Sequence, residues 1–98
     1  MGTYAATSQP TLYSNVDNAQ QAITNVAVQM PSFACKIAFL KNDDSSTQDV
    51  FIGNSGVTTT NGFRLKAGEG IAFTCTNSNL FYGVAGASGA TIDIIVMW

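Results

Sequence analysis

From Ala22 onward the chain repeats one device. A short run alternates apolar and polar residues, a cluster of Gly, Asn, Asp or Ser interrupts it, and another run begins. Alternation at period two sends successive side chains to opposite faces of a pleated strand, and the turn residues stop each strand early. No helical period is visible beyond residue 22. Such a chain can fold only by pairing many short strands.

Ile23, Val26, Val28 and Met30 mark an imperfect first strand ending at Pro31. Phe33, Cys35, Ile37 and Phe39 share one face of the next, expected to point inward, with Ala34, Lys36, Ala38 and Leu40 opposite. Asn42-Asp43-Asp44-Ser45-Ser46 reads as a turn, because Asx and Ser side chains bond their own backbone. Val50 and Ile52 follow on one face and Phe51 on the other. Gly53 to Gly56 is a loop, Val57 to Thr60 a short β-branched strand, and Asn61-Gly62 a tight-turn signal. Phe63 and Leu65 alternate with Arg64 and Lys66; then come a turn at 67–70, inward Ile71, Phe73 and Cys75, and a strand from Leu80 to Val84. In the last strand Ile92, Ile94, Val96 and Trp98 take the core face, opposed by Asp93, Ile95 and Met97. The expectation is all-β: one small, jelly-roll-like β-sandwich of seven or eight antiparallel strands over residues 22–98.

Residues 1–21 are different. Tyr4, Leu12, Tyr13 and Val16 stand isolated among polar residues around Pro10, which is too little apolar surface for a core. An extended N-terminal arm that orders on a partner is expected there. Asp17 followed by Gln20 resembles a capping box and allows one helical turn over 17–22.

Composition narrows the function. Only 10% of the 98 residues are charged, against a typical ~25%. Charge keeps free proteins apart, so its scarcity suits a chain packed against neighbours. A net charge of −2 with four scattered bases leaves no basic stripe for phosphates, so no nucleic-acid partner is expected. No run approaches the ~20 apolar residues of a membrane span. MGTYAATSQP lacks the basic and apolar regions of a secretory signal, so synthesis in a cytoplasm is expected.

Reactive groups are scarce. Histidine, the commonest general base and metal ligand, is absent. Asp43 and Asp44 fit a turn, and Glu69 between two glycines fits a cap on backbone amides of its own turn. No catalytic residue, metal or cofactor is expected. Cys35 and Cys75 both fall on inward faces and could form one disulfide or remain buried thiols; a reducing compartment favours thiols. Asp93 is expected on the solvent face or paired with Arg64 or Lys36. Phe51, Ile95 and Met97 are expected to offer a neighbour an apolar patch.

Val50-x-Ile52-Gly53, Val57-Thr58, Asn61-Gly62, Leu65, Gly68-Glu69 and Leu80-Phe81-Tyr82-Gly83-Val84-Ala85 resemble a recurring pattern in small all-β virion proteins of tailed bacteriophages. The resemblance spans residues 33–98. It departs from the pattern at Tyr82, which stands one place late, and leaves the first 21 residues uncovered. It implies a structural virion protein and does not fix its place in the particle. Low charge, an all-β module, an extended arm and the lack of reactive groups together fit a capsid cement (decoration) protein on the outer shell, made in the host cytoplasm and bridging major capsid protein subunits, and shell symmetry favours a homotrimer. Tyr4, Leu12, Tyr13, Val16, Phe51, Ile95 and Met97 would then be the partner-binding residues. A tail, neck or fibre component, or a carbohydrate-binding module using Trp98 and Tyr82, is the alternative.

Overall fold

The computed structural model describes residues 14–98. Eight strands carry the described chain: β1 (Val16–Ile23), β2 (Val28–Gln29), β3 (Ile37–Asn42), β4 (Val50–Gly53), β5 (Phe63–Leu65), β6 (Gly70–Thr74), β7 (Tyr82–Ala85) and β8 (Ala90–Met97), with a 3₁₀ turn at Ser78–Leu80. They form two four-stranded antiparallel sheets, β1-β8-β3-β6 and β2-β7-β4-β5. β1 pairs with β8, β2 with β7, β3 with β6 and β4 with β5, so the chain is one long hairpin rolled over on itself. Secondary pairings of β3 with β8 and β4 with β7 close the roll. This is a jelly roll.

The core lies between the sheets. Ile23, Met30, Leu40, Val50, Ile92 and Val96 are all but inaccessible, each worth about 1.5–3 kcal/mol of apolar burial. The alternations expected for β4 and β8 are realised: Val50 and Ile52 are buried, as are Ile92, Ile94 and Val96. In β3 the faces are exchanged. Ala38, Leu40 and Asn42 point inward, while Phe39 is 39% exposed. Both faces of this strand are apolar, and β8 fixes the register by pairing Leu40 with Ile94 and Phe39 with Ile95. Phe73 does face the interior, half-buried and stacked on Phe81 with ring centroids 4.5 Å apart.

The two phenylalanines therefore predict opposite outcomes in chemical denaturation. Phe73→Ala should lose about 2–4 kcal/mol, somewhat below the cost of truncating a fully buried ring. Phe39→Ala should lose about 1 kcal/mol or less. Equal denaturation midpoints for the two variants would contradict this register.

Three further expectations change. The helical turn over 17–22 is instead strand β1, and the boundary placed at 21/22 falls inside it, so residues 16–21 belong to the sheet. Eight registered partners along β8 outweigh the local capping signal. The strand expected from Val57 to Thr60 is a loop. Asn54 Oδ1 accepts from Gly56 N at 2.9 Å, and Asn61 Oδ1 accepts from Thr58 N at 2.7 Å. Gly62 fits there because a β-carbon would stand 2.6 Å from Cβ of Phe51. Trp98 has the parity of the core face, yet it is 43% exposed, since it lies just beyond β8. Tyr4, Leu12 and Tyr13 lie outside the described residues.

Candidate partner-binding face

The cross-strand registers of the first sheet stack its outward residues in rows. Val16, Met97 and Ile37 form one row with Thr74. Asn18, Ile95, Phe39 and Ala72 form the next, and Gln20, Asp93, Lys41 and Gly70 the third. The first two rows are dominated by large apolar side chains. Val16 is 55% exposed, Ile95 44% and Met97 37%. The third row is a polar border. A clustered apolar face on a folded domain with polar edges is the usual form of a protein contact surface.

Of the expected partner residues, the fold brings Val16, Ile95 and Met97 together and adds Phe39 and Ile37. Phe51 is not among them. It projects from β4 in the other sheet, on the far side of the sandwich, between Arg64 and Val84. There the 54–62 loop folds back, placing Gly62 against Phe51 and burying Val57 to 5% exposure. That outer face is covered by the chain itself, whereas no described residue covers the face of the first sheet.

The polar border is held by specific bonds. Gln20 Nε2 donates to Asp93 Oδ1 at 2.8 Å, and Lys41 Nζ approaches Asp44 Oδ2 at 3.4 Å. Asp93 faces outward as expected, but its partner is Gln20 rather than Arg64, which pairs with Asp49. Burial, then nearby Asp43, pushes the Asp93 carboxyl up from its ordinary range. Asp43 is pulled down to about 2, chiefly by the Ser45 hydroxyl and then by the Ser45 amide. A carboxylate depressed in the folded state stabilises it above the unfolded pKa, and that contribution fades as pH falls through about 2. The 43–46 turn should therefore be firmest at neutral pH. Glu69 caps as expected, with Oε1 accepting from Lys66 N at 2.7 Å.

Two other features complete the surface. Between edge strands β5 and β6 the sandwich opens into an apolar cleft of about 530 Å³, lined by Ile52, Phe63, Ile71, Phe73, Leu80 and Phe81 among others. At the end of β8, the Trp98 indole N–H donates to Asp17 Oδ2 at 3.2 Å. The Asn77–Asn79 segment is engaged elsewhere, with Ser32 and Gln29. Among the described residues no group of three or more His, Cys, Asp or Glu side chains could hold a metal ion. No described helix is long and apolar enough to cross a membrane.

Two residues that hold the sandwich together escaped the sequence reading. Asn42, placed in a turn, is fully buried at the end of β3, and its Nδ2 donates to the carbonyls of Leu65 at 2.9 Å and Gln48 at 3.0 Å. It thereby ties one sheet to the other. Ser78 is equally buried; its hydroxyl donates to Pro31 O and accepts from Phe33 N at 3.1 Å, fixing the β2–β3 connection. Nothing in a Ser- and Asn-rich loop string distinguishes such residues from ordinary turn formers.

No protein-family model and no curated protein matches the chain. A chain from the capsid of Ralstonia phage GP4 shows a partial structural likeness, with a TM-score of 0.34 and 15% identity over 90% of this chain and 86% of that one. A likeness of that size carries no assignment.

Proposed function

We propose that this is a structural bacteriophage virion protein, a capsid cement protein that binds the outer shell and bridges major capsid protein subunits. The observation that carries the reading is the apolar face on which Val16, Phe39, Ile95 and Met97 are exposed beside the partly exposed Ile37, uncovered by any described residue. Covering it would gain about 25 cal/mol for each Å² of apolar surface removed from water. The scarcity of charge and the bacteriophage-like pattern over residues 33–98 support the same assignment.

In this reading the N-terminal arm acts next to edge strand β1. Ser14 and Asn15 bond the Trp98 carbonyl at 2.9 and 2.8 Å, and β1 is an edge strand. The described chain thus begins beside Val16, at a corner of the apolar face. There, Tyr4, Leu12 and Tyr13 would bury in a capsid subunit or a sister copy, with backbone pairing by strand addition. Three copies around a three-fold position of the shell would match its symmetry.

A truncated protein starting at Ser14 should keep its β-rich circular dichroism spectrum, because the first described strand begins at Val16. It should bind particles lacking the protein at least tenfold more weakly than the full chain. Equal binding would mean that the arm is passive and that the sheet face alone makes the contact. A virion reconstruction tests the assignment itself: density for this chain on the outer shell is expected, and density confined to neck, tail or fibre would overturn it.

A further inference from the structure

We propose that Cys35 and Cys75 are an oxidation site, a thiol pair that closes to an intrachain disulfide when the folded protein meets a thiol oxidant such as hydrogen peroxide. Both cysteines are free, and their sulfurs lie 3.6 Å apart although the residues are 40 positions apart in sequence. Backbone bonds hold them on neighbouring segments: Cys35 N donates to Thr76 O and Cys75 N to Lys36 O, each at 3.1 Å. The separation exceeds a sulfur–sulfur bond of about 2.05 Å by an amount that side-chain torsions on adjacent strands can close.

The two thiols differ in exposure, which assigns their roles. Cys75 is partly exposed, whereas Cys35 is buried. Burial, then the neighbouring sulfur of Cys75, pushes the Cys35 thiol up to about 11, so it stays protonated where the chain is made. With peroxide, the Cys75 thiolate attacks one oxygen and the O–O bond breaks, leaving a sulfenic acid and hydroxide, which takes up a proton to become water. Cys35 sulfur then attacks Cys75 sulfur; the S–S bond forms, the S–O bond breaks, and water leaves with the Cys35 proton. Two thiols are oxidised to one disulfide while one peroxide is reduced to two waters.

The link would tie the segment after edge strand β6 to the segment leading into β3, beside the row that holds Ile37 and Met97. A chain synthesised under reducing conditions would stiffen after release into an oxidising medium. This inference stands on the sulfur geometry alone and survives even if the virion assignment fails.

The test treats folded full-length protein with hydrogen peroxide, followed by alkylation under denaturing conditions and tryptic mapping. Cleavage after Lys36 and Lys66 leaves the cysteines on peptides 1–36 and 67–98. The expected result is a monomer lighter by two hydrogen atoms, with those two peptides linked. Its melting temperature should rise by about 10 °C or more and return on reduction. Cys75→Ser should abolish both changes; if that variant does not fold, the wild-type peptide map decides. Alkylation of both cysteines after oxidant, disulfide-linked dimers, or a link without a rise in melting temperature would each overturn the proposal.

Discussion

Asn42→Asp is expected to unfold the domain at neutral pH and to leave it measurably folded below pH ~4. The wild-type side chain sends both amide hydrogens to carbonyls, Leu65 O at 2.9 Å and Gln48 O at 3.0 Å, from a fully buried position. Aspartate offers those carbonyls no donor and sets a buried negative charge against two acceptors. The carboxyl's folded pKa must therefore rise above its unfolded value of about 3.9. For an acid shifted upward, the penalty is absent below the unfolded pKa and grows as pH rises through it. An uncompensated buried charge costs about 3–5 kcal/mol, comparable with the whole stability of a small domain. Asn42→Leu, which strands the two carbonyls without adding charge, should lose about 2–4 kcal/mol at every pH. Denaturant titrations of both variants at neutral and acid pH check this. A pH-independent loss for Asn42→Asp would show that the carboxyl escapes to solvent.

Ile95→Lys should leave stability nearly unchanged and, if the proposed function holds, remove binding to the capsid. Ile95 is 44% exposed at the middle of the apolar face, beside Phe39 on β3 and Asn18 on β1. A lysine there can keep its ammonium in water while the protein is free, so melting temperature should hardly move. In a complex the same ammonium would be desolvated against apolar surface at a cost of at least ~3 kcal/mol, which is about a hundredfold in affinity. Thr59→Lys, on the exposed loop beyond the opposite sheet, is the matching control. Sedimentation with particles lacking the protein separates the outcomes. Equal loss from both substitutions would indicate a general charge effect, and loss from neither would move the contact to the arm or the β5–β6 cleft.

Most of the β architecture was legible because alternation and turn chemistry act locally. Val50-Phe51-Ile52 and Ile92 to Val96 each present one clearly apolar inner face, and the fold uses it. β3 shows where that logic stops. Period two separates Phe39 from Leu40 but does not say which side turns inward; the partner strand decides, and side-chain size is a poor guide. β1 was invisible for a different reason. Asp17-Asn18-Ala19-Gln20-Gln21 has no apolar rhythm, and its strand state comes from pairing with residues more than seventy positions away. The candidate apolar face was legible in part. Ile95, Met97 and Val16 were legible as apolar side chains outside the core, whereas their assembly with Phe39, and the removal of Phe51 to the far side, required the register.

The rolled hairpin sets an order of events during synthesis. Its inner turn brings together residues 15 positions apart, as in the Asp49–Arg64 pair, whereas its open end joins Asp17 to Trp98 across 81 positions. Loop-closure entropy makes the inner pairs form first and the terminal pair last. At about 5–20 residues per second, a ribosome needs roughly 4–16 s to cover the 81 positions between Asp17 and Trp98, and β1 has no partner until β8 emerges. An apolar β1 would spend that interval as a sticky, unpaired edge. The polar run from Asp17 to Gln21 waits in water without harm, which gives a translational reason for the least strand-like stretch in the sheet.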